Sequence, residues 1–174
     1  NKPGGVLSAS SDRHAKTAVE LLRDEDRRAD LFIAGRLDKD TTGFLLITND
    51  GDFAHNLLSP KKHIYKTYEV LLSNGNYDGY RSAFENGIEL EDGYVCKPAE
   101  FIPLKNNRCF LKISEGKFHQ VKRMFKALGN EVLELRRIAM GDVFLDSSLK
   151  PGEYRPLKPS EFELFLNKIT KSDP

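Results

Sequence analysis

Ile64-Tyr65-Lys66-Thr67-Tyr68-Glu69-Val70-Leu71-Leu72-Ser73 changes face at every step, with Ile64, Lys66, Tyr68, Val70 and Leu72 on one side. A period of two belongs to a strand with one buried face. Residues 108–114 repeat the pattern, with Cys109, Leu111 and Ile113 inward. Strands that alternate in this way, with few helices between them, build an antiparallel or mixed sheet. A doubly wound parallel sheet would instead show continuous apolar strands separated by regular long helices. The expected class is therefore α+β: a mixed, mainly antiparallel sheet with flanking helices.

Working outward, residues 6–8, 31–34, 44–48 and 132–138 read as further strands, and Asn49-Asp50-Gly51 as the turn that closes one of them. Thr17-Ala18-Val19-Glu20 and Ser160-Glu161-Phe162-Glu163 have capping-box spacing, so each predicts a helix start. Short helices are predicted over 52–58, ended by Ser59-Pro60, and over 79–86, followed by Gly87. The clearest helix covers 118–128: Val121, Met124, Phe125 and Leu128 form an i, i+3, i+4, i+7 stripe, and Gly129 stands where a C-cap glycine belongs. The last helix should bury Phe162, Phe165, Leu166 and Ile169.

The 174 residues suffice for one sizeable domain or for two small lobes sharing a cleft, and 39% hydrophobic with 30% charged residues is the mix of a folded globule. No apolar run approaches the roughly 20 residues needed to cross a bilayer, and the start has no signal-peptide core. Cys96 and Cys109 lack CxxC spacing, which argues against a structural zinc site and fits a reducing cytoplasm. A net charge of +1 says nothing about nucleic acid, so any RNA-binding reading must rest on local patches. The chain opens on Asn1-Lys2-Pro3-Gly4-Gly5 without an initiator methionine and reads as one domain, 1–174, of a longer or processed protein.

Three stretches carry candidate chemistry. Gly35-Arg36-Leu37-Asp38-Lys39-Asp40-Thr41-Thr42-Gly43 places two carboxylates and an arginine between glycines, which suits backbone passing close to a ligand; a charged surface loop would look the same. Glu115-Gly116-Lys117-Phe118-His119-Gln120-Val121-Lys122-Arg123-Met124-Phe125-Lys126 leads a glycine into a basic helix, whose free amide groups and cations could take a phosphate. A solvated basic face is the alternative. In Lys61-Lys62-His63-Ile64-Tyr65-Lys66-Thr67-Tyr68, cations alternate with rings able to stack on bases, although Tyr68, on the apolar face of a strand, would by default be a core tyrosine.

Taken in order, the Asn-Lys-Pro start, GRLDKDTTGFLLITNDG, KTYEV, EGKFHQVKRMF and PGEYRPL resemble the RsuA-like pseudouridine synthases, over residues 1 to about 157. The 38–43 segment, Ser59-Pro60-Lys61-Lys62-His63 and Pro151-Gly152-Glu153-Tyr154-Arg155 are most similar to the branch that acts on small-subunit (16S) rRNA, with the 23S-acting branch as the alternative. The resemblance implies a cytoplasmic, monomeric enzyme with ribosomal RNA as its partner, an active-site cleft between two lobes, no membrane association, and neither metal nor organic cofactor. The reaction breaks the N1–C1′ bond of uridine, turns the base and rejoins it through C5. Asp38 matches the family's nucleophile, attacking C1′ or C6. Lys122 matches its basic partner, which favours the carboxylate. Tyr68 matches the tyrosine that stacks on uracil and helps remove the C5 proton. Arg36 is expected to hold the flipped nucleotide, and Lys66, Lys117, His119, Gln120, Arg123 and Lys126 to contact RNA. The chain departs from the family in lacking an N-terminal S4-type RNA-binding module and in carrying Met140 where Ile-Gly is usual.

Two rival classes stay open at this point. Asp38-Lys39-Asp40-Thr41-Thr42 fits the D-x-D-x-T motif of magnesium-dependent phosphatases, and Gly141-Asp142-Val143-Phe144-Leu145-Asp146 fits their late G-D-x-x-x-D motif. Against this, Gly-Arg-Leu precedes Asp38 where a buried parallel strand should end. A non-catalytic RNA-binding domain of the same fold is the other rival.

Overall fold

The computed structural model describes residues 1–171. In chain order the elements are β1 (Phe32–Ala34), β2 (Thr42–Gly43), β3 (Leu46–Thr48), α1 (Gly51–Leu58), β4 (Lys66–Leu72), α2 (Tyr80–Asn86), β5 (Glu100–Pro103), β6 (Arg108–Ile113), α3 (Gln120–Ala127), β7 (Val132–Met140), β8 (Val143–Phe144) and α4 (Pro159–Lys171). They fall into two compact units, one made of residues 1–64 and, among the described residues, 139–171, the other of 65–138. Among the described residues no helix is long and apolar enough to cross a membrane.

The second unit is a sheet in the order β7-β4-β6-β5. Tyr68 pairs with Leu111 and Val70 with Cys109 across an antiparallel ladder, and β5 pairs antiparallel with the far edge of β6. The alternation read from β4 is realised residue by residue: Lys66, Tyr68, Val70 and Leu72 are buried while Thr67, Glu69 and Leu71 are not. β5 gave no signal in the sequence because only Phe101 of its four residues is buried and it ends in proline. Against this sheet α2 and α3 bury Phe84, Met124 and Phe125. Phe84 stacks on Phe101 at 5.4 Å and meets Phe125 edge-on at 5.2 Å. Losing one such ring to alanine costs about 3–5 kcal/mol.

The first unit packs β1, β3, β8, α1 and α4 around Ala34, Leu46, Phe53, Leu57, Ile64, Met140, Val143 and Phe165. β1 and β3 pair antiparallel, as do β8 and the last two residues of β7. Asp50 caps α1 by accepting from the Phe53 amide, which satisfies one of the orphan donors at the helix start. Met140, the departure from the family's usual Ile-Gly, is fully buried in this core.

Several boundaries differ from the sequence reading. The strand expected over 44–48 forms only from Leu46, and residues 6–8 contribute one bridge, from Leu7 to Thr17. The first capping box is half-formed: the Thr17 amide donates to Glu20 at 2.6 Å, but Ala18 is the N-cap and the helix is a three-residue 3-10 turn. In α4 it is Glu161, not Glu163, that accepts from a backbone amide, that of Lys158, and only Phe165 and Ile169 of its apolar face are buried. The basic helix begins at Gln120, leaving Phe118 and His119 in the loop before it.

Candidate active site

In the first unit the Asp38 loop contains little regular structure, so other groups must hold its backbone. Gly35 and Gly43 close it with φ of 86° and 101°, values that a side chain would strain. The N-terminal segment does the mooring. Ser8 Oγ donates to the Leu37 carbonyl and accepts from the Leu37 amide, at 2.8 and 3.0 Å. Gly5 N donates to Lys39 O at 2.8 Å, and Lys2 and Gly43 exchange two backbone bonds at 2.7 and 2.9 Å. Lys2 itself is only 3% exposed. Its ammonium donates to the carbonyls of Pro3, Val6 and Lys39 at 2.8, 2.7 and 3.1 Å. Burial pushes its pKa down to about 8, against the pull of the Asp40 and Asp38 charges nearby. Asp38 is partly buried and Arg36 is exposed at the surface of the same loop.

In the second unit Tyr68 lies in β4 with 8% of its surface exposed, while Lys122 is half-buried on α3. Lys66 is buried; burial first, then the neighbouring Arg137, push its pKa down to about 8, and Glu115 partly opposes this. Gln120 is buried too. Its side chain accepts from the Lys117 amide at 2.9 Å and donates to Glu115 at 3.0 Å. Arg123 pairs with Asp92 at 2.6 Å and Glu91 at 3.2 Å, and these partners, Asp92 foremost, raise its pKa. Lys117 and Lys126 are exposed, and the Lys117 ammonium lies 4.8 Å from the Tyr94 ring centre. His119, half-exposed, has a left-handed backbone.

Three residues here escaped the sequence reading. Lys2 was quoted only as part of a motif. Glu115 looked like a lone acid at the head of a basic run. Yet it is buried, and it accepts from Tyr94 Oη at 2.5 Å and from the Lys97 amide at 2.8 Å. Burial raises its pKa, but these bonds and that from Gln120 outweigh burial and leave it lowered. The same bond pushes Tyr94 up to about 12. Arg137, 1% exposed, came from an Arg-Arg pair whose strand alternation held the only clue to which one faces inward.

A family model described as RNA pseudouridylate synthase matches residues 1–127. The chain belongs to this family. It is 53% identical over 94% of its length to the Bacillus subtilis (strain 168) protein named uncharacterized RNA pseudouridine synthase YtzG, covering 70% of that protein. It is 46% identical over 92% of its length to the ribosomal small subunit pseudouridine synthase A of Vibrio cholerae, again covering 70% of it. A solved pseudouridylate synthase superposes with a TM-score of 0.90 at 44% identity, over 95% of this chain and 71% of that one. An archaeal box H/ACA Nop10–Cbf5 complex shares the fold at 18% identity and a TM-score of 0.58, over 87% of this chain and 49% of that one. The protein is an RNA pseudouridine synthase, of α+β class and mainly antiparallel sheet.

The phosphatase reading fails alongside this membership. Its late motif would need Asp142 and Asp146 to hold magnesium, but Asp142 pairs with Lys168 at 3.1 Å. Asp146 binds Arg155 at 2.6 Å and also accepts from Ser148. These bonds hold its carboxyl well below the usual range, so the motif serves as an ion-pair brace beside α4. Family membership equally disfavours the non-catalytic binder.

Proposed function

We propose that this synthase isomerises a uridine of small-subunit (16S) ribosomal RNA, acting as a monomer in the cytoplasm, with Asp38 as nucleophile. The observation that carries the reading is the 46% identity to a ribosomal small subunit pseudouridine synthase A over 92% of the chain. The mooring of the Asp38 loop supports it: a nucleophile must be held in position before substrate arrives, and Lys2, Gly5 and Ser8 of the N-terminal segment all bond to the loop that carries this one.

In the proposed mechanism Asp38 attacks as the carboxylate, at C1′ or C6. The N1–C1′ bond breaks, the base turns, the C5–C1′ bond forms, and the C5 proton leaves as N1 gains one. The product is an isomer of the substrate, so the atoms balance without redox change or cofactor. Lys122 favours the charged Asp38, and Tyr68 stacks on the uracil and assists proton removal. Arg36, Lys117, His119 and Lys126 are proposed to touch RNA. Lys66, Gln120 and Arg123 are better assigned to holding the fold of their unit, because burial or acidic partners occupy each of them.

The test is pseudouridine mapping on small- and large-subunit rRNA incubated with the protein in excess EDTA. Asp38→Asn should lose at least a thousandfold in rate while keeping its circular dichroism and its RNA affinity. An active Asp38→Asn protein would refute the nucleophile, and modification of large-subunit rRNA alone would refute the branch.

A further inference from the structure

Phe118 is 76% exposed, more than any other large hydrophobic side chain among the described residues. It does not protrude from a slack loop. His119 stacks on it with ring centres 3.8 Å apart and planes 18° apart, and His119 holds a left-handed φ of 47° that a non-glycine residue adopts at a cost. Arg123 supports the pair from behind. Its guanidinium reaches the Phe118 carbonyl at 3.5 Å and its amide bonds the His119 carbonyl at 3.0 Å, while Glu91 and Asp92 fix that same guanidinium through its other nitrogens. Below the loop the buried Glu115 draws together Tyr94, the Lys97 amide and Gln120, and Gln120 in turn fixes the Lys117 amide. Tyr94 also steadies the Lys117 ammonium one residue from Phe118.

An apolar ring in water, a strained backbone and a buried carboxylate within five residues are features a sequence selected only for folding would avoid. Together they hold a flat aromatic pair outward beside a cation. That is the chemistry of a site for an unpaired nucleobase, whose π-face stacks while its phosphate meets the ammonium. We propose that Phe118, backed by His119, is a stacking platform for an unpaired base of the RNA substrate. The proposal rests on the RNA pseudouridine synthase reading and adds to it a binding residue of unusual exposure.

The chain contains no tryptophan, so Phe118→Trp places a single indole at the platform. Titrating that variant with a short single-stranded uridine-containing RNA should quench its emission, whereas the same sequence closed into a duplex should quench it much less. Phe118→Ala should keep the wild-type melting temperature and kcat within twofold, while KM for rRNA rises roughly 5- to 150-fold, the range that loss of one base–aromatic stack implies. Phe118→Tyr should restore KM. An unquenched indole together with an unchanged KM in Phe118→Ala would overturn the proposal and leave the ring to a protein partner. Because quenching reads binding without turnover, quenching with no pseudouridine formed would count against the enzymatic reading and leave the platform standing.

Discussion

Replacing Lys2 by methionine tests how the Asp38 loop is held. The substitution keeps the length and apolar stem of the side chain and removes the ammonium, so the carbonyls of Pro3, Val6 and Lys39 lose one shared donor. The Val6 bond is buried and its carbonyl has no ready access to water, a loss of about 1–3 kcal/mol. The other two carbonyls are partly exposed and rehydrate at roughly 0.5 kcal/mol each. Relief of the ammonium's own burial offsets part of this, so a net loss of about 1–2 kcal/mol is expected at pH 7. The loss should grow with pH. The folded chain releases this proton near pH 8, against an ordinary value of 10.5. Between those values the unfolded state binds more protons, so the wild type gains stability as pH rises, by about 1.4 kcal/mol per pH unit. The methionine variant lacks that gain, and Lys66, shifted similarly, is present in both proteins and cancels. Urea unfolding at pH 7 and pH 9.5 should therefore show the difference between the two proteins widening by about 2 kcal/mol. The rate of pseudouridine formation should fall while RNA affinity stays near wild type. A difference that is flat with pH would refute the burial of a charged Lys2, and full activity would refute its role in mooring the loop.

The other predictions concern the acid side and the RNA. Arg155 bridges Asp146 and Glu161, each at 2.6 Å, and this holds Glu161 down to about 2. A lowered carboxylate stabilises above its ordinary pKa and loses that contribution as pH falls through the folded value. Arg155→Met should thus unfold at a higher pH in an acid titration followed by circular dichroism, and an unmoved midpoint would discount the brace. With Lys66 buried and Arg123 paired, Arg36, Lys117 and Lys126 remain to neutralise phosphates. Affinity for single-stranded RNA should follow a log–log salt slope of about 2, and Lys126→Ala should reduce it by about 0.7. A slope unchanged by that substitution would remove Lys126 from the contact.

What could be read in the sequence, and what could not, divides by range. The β4 alternation and the α3 stripe depend on neighbours two to seven residues apart, and both appear in the fold with only end effects. The loops singled out for chemistry, around Asp38 and before α3, stood out because charges and glycines were crowded together. The fate of individual cations could not be read, because it was decided by distant partners. Arg123 meets acids some thirty residues upstream, and Lys66 is withdrawn from solvent by the packing of its strand face rather than by anything in its own segment. A basic run on paper is therefore a mixture of surface cations and spent ones. Of the cations in that run, the exposed Lys117 and Lys126 are therefore better candidates for RNA contact than the paired Arg123, and nothing local in the sequence marked the exposure of Phe118.

The two loops proposed to serve the reaction share a physical solution, with the sign reversed. A loop outside helix and sheet leaves carbonyls and amides unpaired, and a neutral side chain satisfies only one or two of them. A single buried ion satisfies three. In the first unit the Lys2 ammonium gathers three carbonyls and binds the N-terminal segment to Lys39, next to Asp38. In the second unit the Glu115 carboxylate gathers a hydroxyl, an amide and the Gln120 side chain below Phe118. Each ion is costly to desolvate, and an apolar replacement is spared that cost. A methionine or leucine has no directional preference, however, and would let the loop sample several conformations. The bonds of an ion constrain several chain segments at once, which is what a loop presenting a nucleophile or a stacking ring needs. Glu115→Gln, whose amide can still accept from the Lys97 amide and Gln120 while donating to Tyr94, should therefore keep most of the activity. Glu115→Leu, which leaves those donors unpaired, should lose RNA affinity even at temperatures where circular dichroism shows it fully folded. Equal affinity in the two variants would show that hydrophobic packing alone shapes the loop.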